Sequence, residues 1–429
     1  MAKTSKSADH VSPVRKQYLD IKSQYANALL FFRLGDFYET FDEDAEVVAR
    51  ELDIVLTSRN VAKGVRVPMA GIPHHAMDNY LSRLIDRGYH VAVCEQVGDT
   101  PVNGLMPREV VRTITPGTVV EPSLLASDAN NYLAAVVMGE DAAGVAYVDI
   151  TTGEFAATEL NSEDILSVIK GELNRLHPAE ILLPDTFDLD THNNGIPGYK
   201  TVWPAWRFEP GRTSEAVLNH FQAASLDGFG FRGKDLAVRA AGAILQYLKD
   251  TQPRALELLT GVSTYSLDEF MNLDANTRRN LELVKTIRDG KVRGALLGIV
   301  DRTITPMGTR LMRQWVNKPL LDIGEIKKRQ EGVTLFYNDG LGRAELRHAL
   351  KPLADLERLS NRVVGGSAAP RDLTAIRETL YQLPGIQTLL PKGVAENIPL
   401  CEDEHALLQA ALVEEPPATT NKPGIFRPG

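Results

Sequence analysis

With 429 residues, a formal charge of −9, 43% apolar and 24% charged side chains, the chain has an ordinary folded composition but is too long for one core, which predicts two to three domains. Its longest apolar runs fall well short of the roughly 20 residues of a membrane span, and its opening "MAKTSKSADHVSP" lacks the apolar core of a secretory leader. Cys94 and Cys401, the two cysteines, lie far apart in sequence, which argues against a disulfide framework and fits a reducing cytoplasm.

Residues 12–115 alternate helix and strand signals. "PVRKQYLDIKSQYANA" repeats apolar residues at helical spacing behind Pro13, a residue suited to a first turn. The apolar run Ala28, Leu29, Leu30, Phe31, Phe32 reads as a buried strand, and Gly35 with Asp36 as the turn after it. "DEDAEVVARELD" reads as a helix with acids in its first turn, where the helix dipole favours them. "IVLTSRN" and a loop containing "VPMAGIPHHA" follow, then a helix in "AMDNYLSRLIDRGY" and a strand in "HVAVCEQV" that makes Cys94 a small buried hydrophobe. "REVVRTITPGT" is a further strand ended by Pro116 and Gly117.

A polar connection, "EPSLLASDANN", leads to a second α/β unit. "YLAAVVMGED", "AGVAYVDITTG" and "EFAATEL" are strand-like runs separated by glycine-containing turns, which predicts an antiparallel meander. A helix in "SEDILSVIKGELNRL" and a strand in "AEILLP" complete it. From about 254 the pattern is helical; Thr305-Pro306 makes a good N-cap and N1 pair, Leu311 and Trp315 share a face, and Pro319 marks a stop. "EEPPATTNKPGIFRPG" reads as an extended linker that leads nowhere. Residues 271–330 carry 13 Lys and Arg against 6 Asp and Glu, a local basicity that suits DNA or a solvated helix face equally.

Several of these stretches occur together and in order: "FFRLGDFYETF", "PMAGIPHHA", "VAVCEQVGD", "LDANTRRNLEL", "DRTITPMGTRLMRQWVNKPL" and "DLERLSNRVVGG…PRDL". In this the chain resembles the N-terminal half of the bacterial MutS family, proteins that recognise mismatched DNA. The resemblance implies a multidomain α/β then all-α chain. A small mixed α/β mismatch-binding domain spans 1–117, a linker 118–130, an RNase H-like connector 131–253, the first part of a helical core with lever helices 254–413, and a truncated linker 414–429. It implies that the clamp, the ATPase with its ATP and Mg²⁺, and a helix-turn-helix dimerisation element would follow residue 429. This chain is then expected to hold no cofactor and hydrolyse nothing. The implied partners are duplex DNA with mismatches or small loops, a MutL-type repair protein and, in the full-length parent, a second copy.

The step Phe37-Tyr38-Glu39 carries the functional expectation. Residues i and i+2 of an extended segment point the same way, roughly 6.6 Å apart, so Phe37 and Glu39 face outward while Tyr38 turns inward. An aromatic ring presented to a duplex can part a base step and kink it, most cheaply where pairing is already poor. By resemblance to the family's Phe-x-Glu motif, Phe37 stacks on the mispaired base and Glu39 hydrogen-bonds it. A carboxylate near a polyanion is repelled, so Glu39 is expected to discriminate by penalising intact DNA. The plain alternative makes Phe37 core and Glu39 a surface charge. By the same resemblance Arg59, Met69 and His75 lie near the DNA around the wedge, and Arg108 contacts a phosphate. Met69 can equally serve loop packing, and His75 can serve only to hydrogen-bond its own loop. Arg278, Arg279, Arg293 and Arg313 read as ion-paired surface residues.

Rival functions have weaker support in the residues. "GFGFRGKD" has the glycine and lysine spacing of a phosphate-binding loop, but Asp235 stands where a hydroxyl should meet Mg²⁺ and no buried strand precedes it, so it reads as a turn. His74 and His75 lack a neighbouring set at zinc spacing. An RNase H-like nuclease would use Asp149, but two-metal chemistry needs several convergent carboxylates, and Glu154 alone does not supply them. A scaffold that meets a MutL-type partner without binding DNA itself is the third reading.

Overall fold

Phe31 and Phe32 point to opposite sides of one strand and both are fully buried, so the sheet that holds them must be covered on both faces. The computed structural model describes residues 12–62, 65–98, 100–101, 104–187, 195–420 and 422–427. In the first unit, helix α1 (Pro13–Gln24) leads to strands β1 (Leu29–Leu34) and β2 (Phe37–Phe41), and helix α2 (Asp42–Leu52) follows. Strands β3 (Thr57–Ala62) and β4 (Val65–Pro73), helix α3 (Met77–Ile85), and strands β5 (Val91–Gln96) and β6 (Arg108–Ile114) complete it. The sheet order is β3-β4-β2-β1-β5-β6. Helices α2 and α3 bury Phe31 and Tyr38 on one face. Helix α1 lays Tyr18 and Ile21 on Leu30, Phe32, Phe41 and Cys94 on the other. Cys94 is thus the small hydrophobe expected.

The "VPMAGIPHHA" stretch is not a loop. Residues Val65–Pro73 form β4, paired with β2 and β3. Its prolines hid it, yet they fit: β2 ends at Phe41 opposite Met69, so Pro68 has a neighbour on one side alone, and Pro73 closes the strand.

The second unit opens with the predicted meander of β7 (Leu133–Met138), β8 (Ala142–Asp149) and β9 (Glu154–Asn161). Helix α4 (Ile165–Leu176), β10 (Glu180–Pro184), β11 (Tyr199–Trp203), α5 (Pro210–Phe221), α6 (Asp235–Thr251) and β12 (Ser263–Thr264) follow. In the order β11-β10-β7-β8-β9-β12, β10 runs parallel to β7, β11 parallel to β10 and β12 parallel to β9. This is the mixed RNase H-like arrangement that the resemblance implied. Helix α6 buries one face and α4 the other. The sheet takes in Ser263–Thr264, beyond the boundary at 253 read from the sequence.

The remainder is helical: α7 (Ala275–Asn280), α8 (Leu296–Val300), α9 (Pro306–Asn317), α10 (Ile323–Asn338), α11 (Gly340–Ala349), α12 (Leu356–Val364), α13 (Pro370–Thr388), α14 (Lys392–Ala395) and α15 (Glu402–Ala411). Thr305 caps α9 as expected, its side chain accepting from the Gly308 amide at 3.2 Å, with Pro306 at the first turn. The final segment is not an extended linker. It folds back, Val413 N donating to Ile425 O at 3.2 Å and Arg427 N to Ala411 O at 2.8 Å.

The segment between the sheets is held firmly. Arg358 of α12 donates to the carbonyls of Ala126 (2.8 Å) and Ala129 (2.7 Å), while Arg310 and Arg313 of α9 take those of Ser127 (3.2 Å) and Asp128 (3.0 Å). Arg310, its side chain 3% exposed, also binds Asp355 through both guanidinium ends and Glu357 at 2.5 Å. Where the first unit meets the second, the buried Glu180 carboxylate accepts from Gly117 N (2.8 Å), Tyr247 Oη (2.7 Å), Thr201 Oγ1 (2.7 Å) and the Thr115 hydroxyl. Gly88, at φ +83°, abuts the Tyr199 ring, where a Cβ would collide at 2.3 Å.

Candidate nucleic-acid interface

The tight turn between β1 and β2 needs Gly35 at φ +60°, and the His74 amide fastens it by donating to Asp36 O at 2.9 Å. Directly after it β2 starts at Phe37, opposite Leu34 on β1 and Pro73 on β4. Strand alternation then sorts the three residues. Tyr38 turns into the core on the α2–α3 side, 4% exposed, its hydroxyl donating to Glu95 and the Arg33 guanidinium 5.4 Å from its ring centre. Burial, with Glu95 beside it, holds the phenol well above its ordinary pKa. Phe37 and Glu39 share the opposite face, where α1 covers Phe32 and Phe41 but leaves the Phe37 ring 46% exposed.

Glu39 is not a free carboxylate. It is ion-paired with Arg59 of β3, and its side chain is 16% exposed against 44% for the arginine. Between them, on β4, Gly71 stands opposite Glu39. A Cβ added there would touch Glu39 Cγ at 3.7 Å and the Phe37 ring at 3.9 Å, so the strand beside both side chains is bare.

Met69 lies opposite Phe41 and Thr57 and is half-buried, packed on the α1-side core. His75 is exposed in the short turn His74–Ala76 that follows Pro73, its ring 6.1 Å from that of His74. The sheet therefore gathers Phe37, Glu39, Arg59 and Met69 on one face, with His75 at the end that carries Phe37. Arg108 is placed differently from the phosphate contact expected of it. It is 8% exposed, stacked 5.0 Å over Phe32, and donates to Arg33 O (2.8 Å), Gln17 Oε1 (3.0 Å) and Met106 O (3.1 Å). It braces the strand that leads to the turn. Sequence reasoning missed Arg33 and Gly71, and no spacing rule joins Glu39 to Arg59, two strands and 20 residues away.

The basic helical residues also differ from expectation. Arg313 is paired with Asp128 at 2.8 Å, but Arg278 donates to the carbonyls of Leu273 (3.0 Å) and Asn317 (2.9 Å). Among the described residues no ion pair joins Arg279 or Arg293.

The rival sites are filled by the chain itself. Asp149 is fully buried: Oδ1 accepts from Thr151 N (2.9 Å) and Oγ1 (2.7 Å), Oδ2 from Asn130 Nδ2 (2.9 Å) and Asn131 N (3.2 Å). Glu154 accepts from the hydroxyls of Tyr132 (2.9 Å) and Tyr147 (3.1 Å). Among the described residues no group of three or more His, Cys, Asp or Glu could hold a metal ion, and no helix is long and apolar enough to cross a membrane. In "GFGFRGKD" no strand precedes the glycines, and the first amides of α6 at Leu236 (2.8 Å) and Ala237 (3.4 Å) donate to Glu159, an acid where a phosphate would sit.

Three family models match the chain in order: MutS domain I over residues 12–123, MutS domain II over 131–260 and MutS domain III over 276–428. Among similar proteins, the DNA mismatch repair protein MutS of Symbiobacterium thermophilum is 43% identical over 431 residues, covering 97% of this chain and 49% of the relative. That of Dehalococcoides mccartyi is 41% identical, covering 98% and 49%. That of Halothermothrix orenii is 42% identical, covering 98% and 48%. The chain thus spans about half the length of the relatives it matches.

Proposed function

The chain belongs to the MutS family, and from that premise we propose that its first unit senses mispaired or unpaired bases in double-stranded DNA, the step that starts mismatch repair. One observation carries the reading: beside two sealed cores, the Phe37 ring stands 46% exposed at the end of a strand. Unstacking a base step costs a few kcal/mol, least where pairing is already weak, so a rigidly held ring reports how easily the duplex yields. Phe37 takes the role of wedge.

Glu39 takes the role of discriminator, and its ion pair with Arg59 refines that role. In the DNA-free protein the arginine neutralises the acid. An approaching phosphate competes for the same guanidinium, since Arg binds phosphate and carboxylate alike. Arg59 then fixes register on the backbone while Glu39 is released toward the base. Met69 and His75 line the approach. No catalytic residue is assigned to this chain; ATP and Mg²⁺, a second copy and a MutL-type partner enter as what the family resemblance implies for the whole repair reaction.

Binding to a G·T duplex against a G·C duplex tests this. Phe37→Ala is expected to weaken G·T binding by about tenfold or more, the worth of one stacked base, and to leave G·C binding nearly unchanged. Glu39→Gln is expected to tighten G·C binding and shrink the ratio. Equal G·T affinity for wild type and Phe37→Ala would refute the wedge.

A further inference from the structure

A second charged concavity lies away from the wedge. Between the end of α4, the 126–130 segment and the start of the helical stretch is a cavity of about 640 Å³. Five cations line it, Arg175, Arg278, Arg279, Lys285 and Arg313, against one carboxylate, Asp128. Three of the five are committed: Arg175 to Glu172, Arg313 to Asp128, and Arg278 to two backbone carbonyls. Among the described residues the side chains of Arg279 and Lys285 make no hydrogen bond or ion pair, and both are exposed.

The positive field is cancelled only in part, by Glu172 on Arg175 and Asp128 on Arg313. His177, which also lines the cavity, is held below its ordinary pKa by burial and then by the charges of Lys285 and Arg313. The Arg278 guanidinium is likewise lowered, first by burial and then by Arg175, against the opposing influence of Glu172 and Asp274. Part of the wall is apolar, with Leu176, Leu283 and Ile287, the last 50% exposed. Two uncommitted cations beside an apolar wall, in a cavity of this size, suit one small molecule rather than a duplex.

We propose that this cavity binds a small organic phosphate, an anion of mononucleotide size whose phosphate is met by Arg279 and Lys285 and whose flat body rests on Leu283 and Ile287. Such a ligand would relieve the crowding of like charge where the second unit meets the helical stretch, and would hold the two together by mass action.

Calorimetric titration of the full 429-residue chain with adenosine 5′-monophosphate, adenosine and inorganic phosphate tests it. The monophosphate is expected to bind with a Kd below about 1 mM, and each half-molecule at least about tenfold more weakly. Arg279→Gln with Lys285→Gln is expected to weaken the monophosphate by about tenfold or more. Both positions are exposed and unpaired, so the fold should persist; Lys285→Gln alone, expected to weaken it severalfold, gives the readout if the double variant does not fold. Arg254→Gln changes another cavity, of about 550 Å³, and Phe37→Ala changes the wedge; neither should alter the affinity. The proposal is overturned if the monophosphate does not bind, if adenosine binds as well as its phosphate, or if the cavity variants bind like wild type. Loss of binding in Arg254→Gln would move the ligand elsewhere and equally overturn it. Should the double variant lose duplex DNA but keep the monophosphate, these cations belong to a DNA surface and the proposal falls.

Discussion

The two sheet units and the helical stretch treat apolar side chains in opposite ways. In the first unit two clusters seal both faces of the sheet, leaving Phe31, Phe32, Leu81 and Leu84 essentially without water contact. In the helical stretch Leu311, Trp315, Ile323, Val333, Tyr337, Leu341 and Leu407 are all at least 39% exposed. An exposed ring therefore means different things in the two places. Aliphatic Leu19, Val55, Leu56, Val97 and Val111 are bare in the first unit too, but among its described residues Phe37 is the exposed apolar aromatic ring and calls for a purpose; among many bare apolar residues, Trp315 singles out nothing by itself.

The sharpest way to break that contrast is to truncate two phenylalanines of the same sheet. Phe31→Ala should destabilise the first unit by about 3–5 kcal/mol, the cost of emptying a core ring site. Phe37→Ala should stay within about 0.5 kcal/mol. Urea denaturation measures both, and comparable losses would return Phe37 to the core.

Next in size is Arg310→Ala. Removing the buried partner of Asp355 and Glu357 is expected to cost about 3 kcal/mol, because their charges lose compensation. That loss should appear in the unfolding of the helical stretch. An unchanged midpoint would show that this stretch owes its docking to something else.

Lys318 sharpens the contrast through pH. Its amine lies 5.1 Å from the Tyr265 ring centre, 5.3 Å from Phe270 and 5.9 Å from Tyr147. Burial, then the Arg175 charge, pull its pKa down from 10.5 to about 8 against the opposing influence of Glu172, Glu154 and Glu269. Between pH 8 and 10.5 the unfolded chain holds a proton that the folded chain has shed, so this group's contribution to stability rises with pH across that window; below about 8 the cost of the buried charge is fully present. Denaturation of wild type against Lys318→Met from pH 7 to 10 should show the difference narrowing upward. The smallest effect is expected from Tyr337→Ser, a 77% exposed ring: stability within about 0.5 kcal/mol, with less self-association in sedimentation.

Periodicity made most of this architecture legible. The run from Leu29 to Phe32, the meander of the second unit and the Thr305-Pro306 helix start all follow from local rules and stand as read. What escaped depends on neighbours distant in sequence. Val65–Pro73 hid behind prolines that its one-sided pairing tolerates. Arg108, expected by resemblance to contact a phosphate, instead stacks on Phe32 from another strand, a neighbour that its own segment does not announce. The exposure of Phe37 was legible from alternation; the partner of Glu39 was not, because the bare strand at Gly71 and the reach of Arg59 exist only once β3, β4 and β2 lie side by side.

Four successive peptide oxygens, from Ala126 to Ala129, are each grasped by an arginine from one of two helices. At Ala126, Ser127 and Ala129 such a grip ignores side-chain identity and reads spacing alone, while Asp128 adds its carboxylate to Arg313. Replacing Ala126 or Ser127 should therefore pass almost unnoticed, whereas inserting a single residue would put every oxygen out of step with its guanidinium and unfasten the joint in one stroke.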